Sequence, residues 1–310
     1  MVTIDLTTPP PPAKNFLDGL PRRLAMTLPE LRHAAELAGG APLPFEHVVE
    51  AGGTGSDGLS DRLGASRESA EATAYAAAIS SLHDAEDSLR RRGLVTDAGA
   101  DPGVVGAIGL LATPQLALDI DVATGSHHVK AWHRHSEGAV ATLSTRDGIV
   151  FELAWFPVGH WTNELARVTA VPEELTLSTS AVPELLDVPY QLVDAVGEAV
   201  RSGRQDLVPV LMSHADSPVL ADDETLGAPE ASAALSAVHT EGRGRLRILA
   251  AEVSHDQTTD VGVVSWVLLS DGWHSLTPRH ADDGARVCVR RVDPADLATE
   301  LAPVLAQVTS

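Results

Sequence analysis

The chain has 310 residues, with 22 Lys and Arg against 43 Asp and Glu, a net charge of −21 and a mean hydropathy of +0.03. That length can bury the core of one large domain or two small ones, and a 44% hydrophobic share fits a soluble globular chain. The acidity argues against a nucleic-acid partner, whose phosphates need a positive surface, and against docking on an anionic membrane.

Residues 1–20 contain the run Pro9–Pro12 and few large apolar side chains, so they are expected to form a flexible lead-in ahead of a single domain over 21–310. They lack a basic start followed by an apolar stretch, so no signal peptide is visible. Nor does any apolar run approach the roughly 20 residues needed to cross a bilayer. A cytoplasmic protein without membrane insertion is the expectation. The lone Cys288 excludes an internal disulfide and a cysteine-rich zinc site; within ARVCVRRV it reads as a packed thiol.

A short strand over Arg23–Met26 leads to Thr27, which caps TLPELRHAAELAGG: Pro29 lies in the first turn, Glu30 three residues after the cap, and Gly39–Gly40 end the helix. Ala51–Gly64 is glycine-rich and polar, a loop. Tyr75, Ile79, Leu82 and Leu89 are spaced for a long helix over Ala65–Arg92, stopped by Gly93, and a further helix follows Asp101–Pro102 through Val104–Leu111. The period then changes. Leu116, Leu118, Ile120 and Val122 alternate with smaller or acidic residues, the mark of a strand. Strands continue over HVKAWHRH, Ala139–Leu143 and Ile149–Phe156, with turns at Glu137–Gly138 and Asp147–Gly148, and a helix over Trp161–Val168 closes the run.

The second half follows the same plan. Helices are expected around Pro183–Arg201, Gln205–His214 and Pro229–His239. Strands follow at Leu246–Val253, Val261–Ser270, His274–Pro278 and Arg286–Val292, then a helix over Pro294–Gln307. DGIVFELAWFPVGHWTNELARV (147–168) aligns with DGARVCVRRVDPADLATELAPV (283–304), while the turns Glu137–Gly138 and Asp271–Gly272 match after a two-residue insertion. The expectation is an internal repeat with halves of about 21–170 and 171–310, in which Phe151 corresponds to Val287 and Leu165 to Leu301.

HHVKAWHRH (127–135) concentrates His127, His128, His133 and His135. Along a strand His133 and His135 share one face with Val129 and Ala131, while His128, Lys130, Trp132 and Arg134 share the other. A metal site needs three or four convergent ligands, so this split favours a polar strand whose Lys130 and Arg134 pair with Asp119 and Asp121 across the hairpin. Gly53–Gly58 matches G-x-G-x-x-G but lacks the buried strand before it and the helix after it that a dinucleotide site requires. The segment 85–95, AEDSLRRRGLV, has the look of a winged-helix hairpin, yet arginines at a helix C-terminus complement its dipole. Neither a nucleophile elbow nor a zincin motif is present.

Taken in order, TLPELRHAAELAGG with PLPF, SLRRRGLV, DPGVVGAIGLLATPQLALDID, the strands, and SDGWHSLTP with VRRVDPADLATELAPVL resemble the EspG family from about Met26 to Val304. The resemblance implies an α+β fold: a central antiparallel β-sheet flanked by two helical bundles with quasi-two-fold internal symmetry. It also implies a cytosolic chaperone of type VII (ESX) secretion in actinobacteria, which caps a PE–PPE pair and keeps it soluble until export, without catalysis, cofactor or metal. In the family the hairpin loop between the first two meander strands approaches the client. Here that loop is the short turn of Thr124, Gly125, Ser126, His127 and His128, and Trp266 on VGVVSWVLL is the candidate anchor, with a place in the core as the alternative because both faces of that strand are apolar. A chaperone calls for an exposed apolar patch with a polar rim. The alternative, a regulatory or small-ligand-binding module without catalysis, calls for a basic face or a closed apolar cavity.

Overall fold

The computed structural model describes residues 20–45, 84–254, 257–282 and 284–308. The expected lead-in, the Ala51–Gly64 loop with its glycine motif, and residues 65–83 of the expected long helix lie outside them.

Alternation builds the sheet. In β4 (Leu116–Thr124) the side chains of Leu116, Leu118, Ile120 and Val122 are buried, while the intervening ones are half-buried. Hairpins carry this pattern into β5 (His127–Ser136), β6 (Ala139–Thr145) and β7 (Val150–Pro157). A second meander runs through β11 (Gly244–Ser254), β12 (Gln257–Leu269), β13 (Gly272–Ala281) and β14 (Gly284–Val292). The two meanders join where β4 pairs antiparallel with β11, setting Ile120 opposite Ile248. Outward from that seam lie β5, β6, β7 and β1 (Arg22–Thr27) on one side. On the other lie β12, β13, β14, β8 (Leu185–Pro189) and the short hairpin β9 (Leu220–Ala221) with β10 (Glu224–Thr225). The result is a 12-stranded antiparallel sheet.

The order of elements repeats. Each outer strand feeds a helix directly, β1 into α1 (Leu28–Leu37) and β8 into α5 (Tyr190–Arg201). In each half there follow a short helix (α2, Ala85–Arg91; α6, Val208–Ser213), a small hairpin and a longer helix (α3, Pro102–Ala112; α7, Ala228–Thr240). The first hairpin, β2 (Val95–Thr96) with β3 (Gly99–Ala100), forms its own ladder, whereas β9 pairs with β8 and widens the sheet. Each meander ends in a 3-10 turn, Val158–His160 or Pro294–Asp296, and a helix, α4 (Trp161–Val168) or α8 (Leu297–Val308). Phe151 and Val287 are buried in the clusters of their respective bundles, and Leu165 and Leu301 share the central one. One expected correspondence shifts. Leu269 pairs with Gly272, so the second turn is Ser270–Asp271 and lies one residue before Asp271–Gly272.

Three clusters hold these layers. On one face of the sheet α4 and α8 cover the central strands, with Trp161, Trp266, Trp273, Leu165 and Leu301 buried. On the other face α1, α2 and α3 pack over β1, β7, β6 and part of β5. The bundle of α5, α6 and α7 packs over β8, β14 and β13. The capping box at Thr27 forms as expected: Glu30 accepts from the Thr27 amide at 2.8 Å. Glu30 also accepts from Ser88 at 2.6 Å and from Arg92, tying α1 to α2. Burial opposes its charge, but the hydrogen bonds from Ser88 and Thr27 together with Arg92 outweigh it and hold the carboxyl below its usual range.

Two expected helices differ. Of the helix expected over Ala65–Arg92, the described part begins at Ala85: Asp84 is extended and caps α2 by accepting from the Asp87 amide at 3.0 Å. The stretch expected as helix from Pro183 begins as strand β8, whose Leu186 and Val188 are buried in the second bundle's cluster; helix begins only after Pro189.

The histidine-rich strand divides as its alternation requires. Trp161 donates its indole N–H to Nδ1 of His133 at 2.9 Å, and the His135 ring stacks on Trp161 at 5.4 Å. These histidines are parts of the core. Burial, with lesser contributions from Arg167 and Arg134 and opposed by Glu164, pushes the His133 pKa down to about 3, so it stays a neutral acceptor. Asp119 pairs with Arg134 at 2.8 Å as expected, whereas Asp121 turns to His128 at 3.1 Å and not to Lys130.

Gly262 lies beneath α8, where a Cβ would collide with Val304 and come within 3.3 Å of Val308. Gly262→Ala is expected to destabilise the fold by ~1–3 kcal/mol, read from the urea unfolding midpoint. An unchanged midpoint would show that α8 can lift without cost.

A second expectation concerns pH. The folded pKa of His133 lies below the unfolded value of about 6.5, so the unfolded state binds the extra proton and stability falls as pH drops from 6.5 toward 3. His135, His239 and His274 are also pushed down, chiefly by burial, and add to this fall. Glu30 and Glu164, held below 4.5, contribute only below that value. The slope between pH 6.5 and 4.5 therefore belongs to the histidines. His133→Gln, which keeps an acceptor for Trp161, should flatten it in thermal melts; an identical slope would contradict the assignment.

Candidate functional site

The two bundles leave the middle of their face of the sheet open. The first bundle's cluster reaches inward as far as Trp132, against whose ring Phe45 is tilted at 5.7 Å, and the second reaches Val267 and Leu269. Between them lies a shallow groove of about 320 Å³, lined by Asp119, Asp121, Lys130, Trp132, Arg245, Arg247 and Leu249. Strand pairing explains this lining. Asp121 stands opposite Lys130 and Arg247, and Asp119 opposite Trp132 and Leu249. Directly opposed residues project to the same face of a sheet, so the polar side of β4 and the RLR side of β11 meet there.

The apolar part of this face continues on β12. Val263 is opposite Leu249 and Val261 opposite Ala251. Val261 is 56% and Val263 49% exposed, among the most exposed large apolar residues described. Arg245, Arg247 and Lys130 are exposed as well. The open face thus carries a cationic groove with an apolar stretch of β12 next to it, while the groove's acids are turned aside: Asp119 is held by Arg134 and Asp121 by His128. Such a surface can bind through apolar contact and charge-assisted hydrogen bonds. Among the described residues no three His, Cys, Asp or Glu side chains form a group able to hold a metal ion.

The sequence-derived site residues fall partly on this surface. Gly125 and Ser126 form the two-residue turn between β4 and β5, exposed and closed by the Thr124–His127 pair. Gly125 alone takes a positive φ, +57°, as a type II′ turn requires. Its amide donates to the Arg243 carbonyl at 3.0 Å, holding the hairpin end against the start of β11. His128 is exposed on the groove's face, His127 is half-buried and Thr124 is buried. Trp266 requires correction. It is 1% exposed and packs against Trp273 at 6.2 Å in the central cluster, because it lies on the face that α4 and α8 cover. The exposed face of VGVVSWVLL is the alternate one, with Val261 and Val263. Sequence reasoning also passed over Arg245 and Arg247, although their alternation with Leu246 and Ile248 was a signal of an outward cationic stripe.

Two other cavities are formed, the second of them adjoining Val263. One of about 480 Å³ separates α3 from β6 and β7, and one of about 440 Å³ lies beside Cys288 and Glu300 near α8. Among the described residues no helix is long and apolar enough to cross a membrane.

No protein-family model matches the chain, and no curated protein matches it by sequence. The solved structures do provide a match. The chain is similar to one in the structure of the Mycobacterium tuberculosis type VII secretion system chaperone EspG5 in complex with the PE25–PPE41 dimer. The alignment covers 93% of this chain and 96% of that chain at 12% sequence identity, with a TM-score of 0.60. The large antiparallel sheet and its flanking helices are therefore an EspG-like fold.

Proposed function

We propose that this chain is a chaperone for a secreted PE–PPE-like pair, binding it in the cytoplasm and keeping it soluble for type VII secretion, without catalysing a reaction. The observation that carries this reading is the open groove at the centre of the sheet, with exposed Val261 and Val263 beside charged residues. A solvent-facing apolar patch with a polar rim is what a protein-binding surface looks like. It belongs to a fold shared along nearly its whole length with a chaperone solved with such a dimer. The exposed turn residues Gly125 and Ser126, with His128 leading into the groove, would form the margin of the contact. Thr124 and Trp266 support that surface from within.

The alternative of a small-ligand module is less well supported, since the groove is shallow and open where a small molecule is usually enclosed. The test is co-purification of the wild-type chain with the PE–PPE-like pair encoded nearest to its gene. A stable ternary complex is expected, and a Val261→Asp, Val263→Asp double variant with unchanged circular dichroism should bind at least tenfold more weakly. If the wild type binds no such pair, the chaperone reading fails. If the double variant binds normally, the contact lies elsewhere.

A further inference from the structure

Resting on that reading, we propose that the segment recognised by the groove is a helical tip bearing carboxylates next to its apolar contact residues, and that Arg245 and Arg247 select it. Arg245, Arg247 and Leu249 alternate along β11 and project to the open face, with Val263 beside Leu249. Both arginines are exposed, and among the described residues neither forms an ion pair or side-chain hydrogen bond. Arg23, Arg92, Arg134, Arg167, Arg204 and Arg290 are each paired with an acid; Arg22, Arg91 and Arg146 are free as well, but Arg245 and Arg247 are the ones that stand together in the open groove.

The surroundings strengthen the contrast. In a chain of net charge −21, one of its two lysines, Lys130, stands on the same face. Asp121, directly opposite Arg247, is 3.1 Å from His128, and Asp119, opposite Leu249, is engaged by Arg134. The groove's own acids are thus drawn to other bases, leaving its cations open to an incoming carboxylate.

The spacing is compatible with a helical partner. Residues two apart on a strand are about 7 Å apart, close to the roughly 5–6 Å between side chains three or four apart on a helix. Two helical carboxylates at that spacing can each meet one guanidinium, and the next turn of the helix then brings an apolar residue over Leu249 and Val263.

The experiment measures the affinity of the full chain for the same PE–PPE-like pair at 50 and 300 mM NaCl, for wild type, Arg245→Gln with Arg247→Gln, and Arg245→Glu with Arg247→Glu. Both positions are exposed, so unchanged thermal midpoints are expected and are checked first. The glutamine variant should lose about fivefold at low salt and show a flatter salt dependence, and the glutamate variant about thirtyfold. Should either variant unfold early, the single Arg247→Gln change and its salt slope carry the test. A glutamate variant within twofold of wild type overturns the acidic-tip inference while leaving the chaperone reading intact. Absence of binding by the wild type overturns both.

Discussion

The fold depends on the backbone ladder between β4 and β11. Each meander alone would present an open edge with unpaired amides and carbonyls, a liability in water and an invitation to aggregation. Pairing Leu116–Thr124 with Gly244–Glu252 removes both inner edges at once. It also sets Leu118, Ile120 and Val122 against Leu246, Ile248 and Ala250, so the apolar faces of both halves merge under α4 and α8. A shift of one residue in this ladder would turn Asp119 and Asp121 into the core and Ile120 out to solvent. The register is therefore set by burial as much as by hydrogen bonding.

That seam also explains why the two faces differ in use. On the covered face, positions across the centre carry similar chemistry, with Ile120 against Ile248 and Leu165 beside Leu301 in one cluster. On the open face they do not. The Asp121–Lys130 pair on one side of the seam is answered by Leu249–Val263 on the other. Packing alone gives the two meanders no reason to diverge at exposed central positions. The backbone supplies two similar platforms, and the side chains make one polar and the other apolar.

Most of the fold was legible because its elements rest on strong local signals. The alternation over Leu116–Val122, the capping box at Thr27 and Glu30, and the matching of 147–168 with 283–304 all correspond to observed elements. The misreadings occurred where tertiary packing decides. LLDVP is too short to declare its period and becomes a strand by pairing with β14 and burying Leu186 and Val188. The helical spacing before Leu89 gave no hint that Asp84 would be extended and cap a helix starting at Ala85. For the candidate site, both faces of VGVVSWVLL are apolar, so alternation could not say which one α8 would cover. Of the two roles open to Trp266, anchor or core, burial in the central cluster selects the core. A tryptophan adds more to a core than to a face that must stay soluble when unoccupied.

The same division accounts for an EspG-like fold at 12% identity. The covered face and the bundles require only apolar residues of suitable volume at alternating or helical spacing, and many sequences satisfy that. Turns need glycine or small polar residues at a few positions, such as Gly125 with its positive φ. Nothing in this list constrains the exposed side chains of β5, β11 and β12. Those positions can change without cost to the fold, so the groove is where one chain with this fold should differ most from another. Arg245 and Arg247 lie there, with Val261 and Val263 beside them on β12, and none of the four is required by the packing of the sheet.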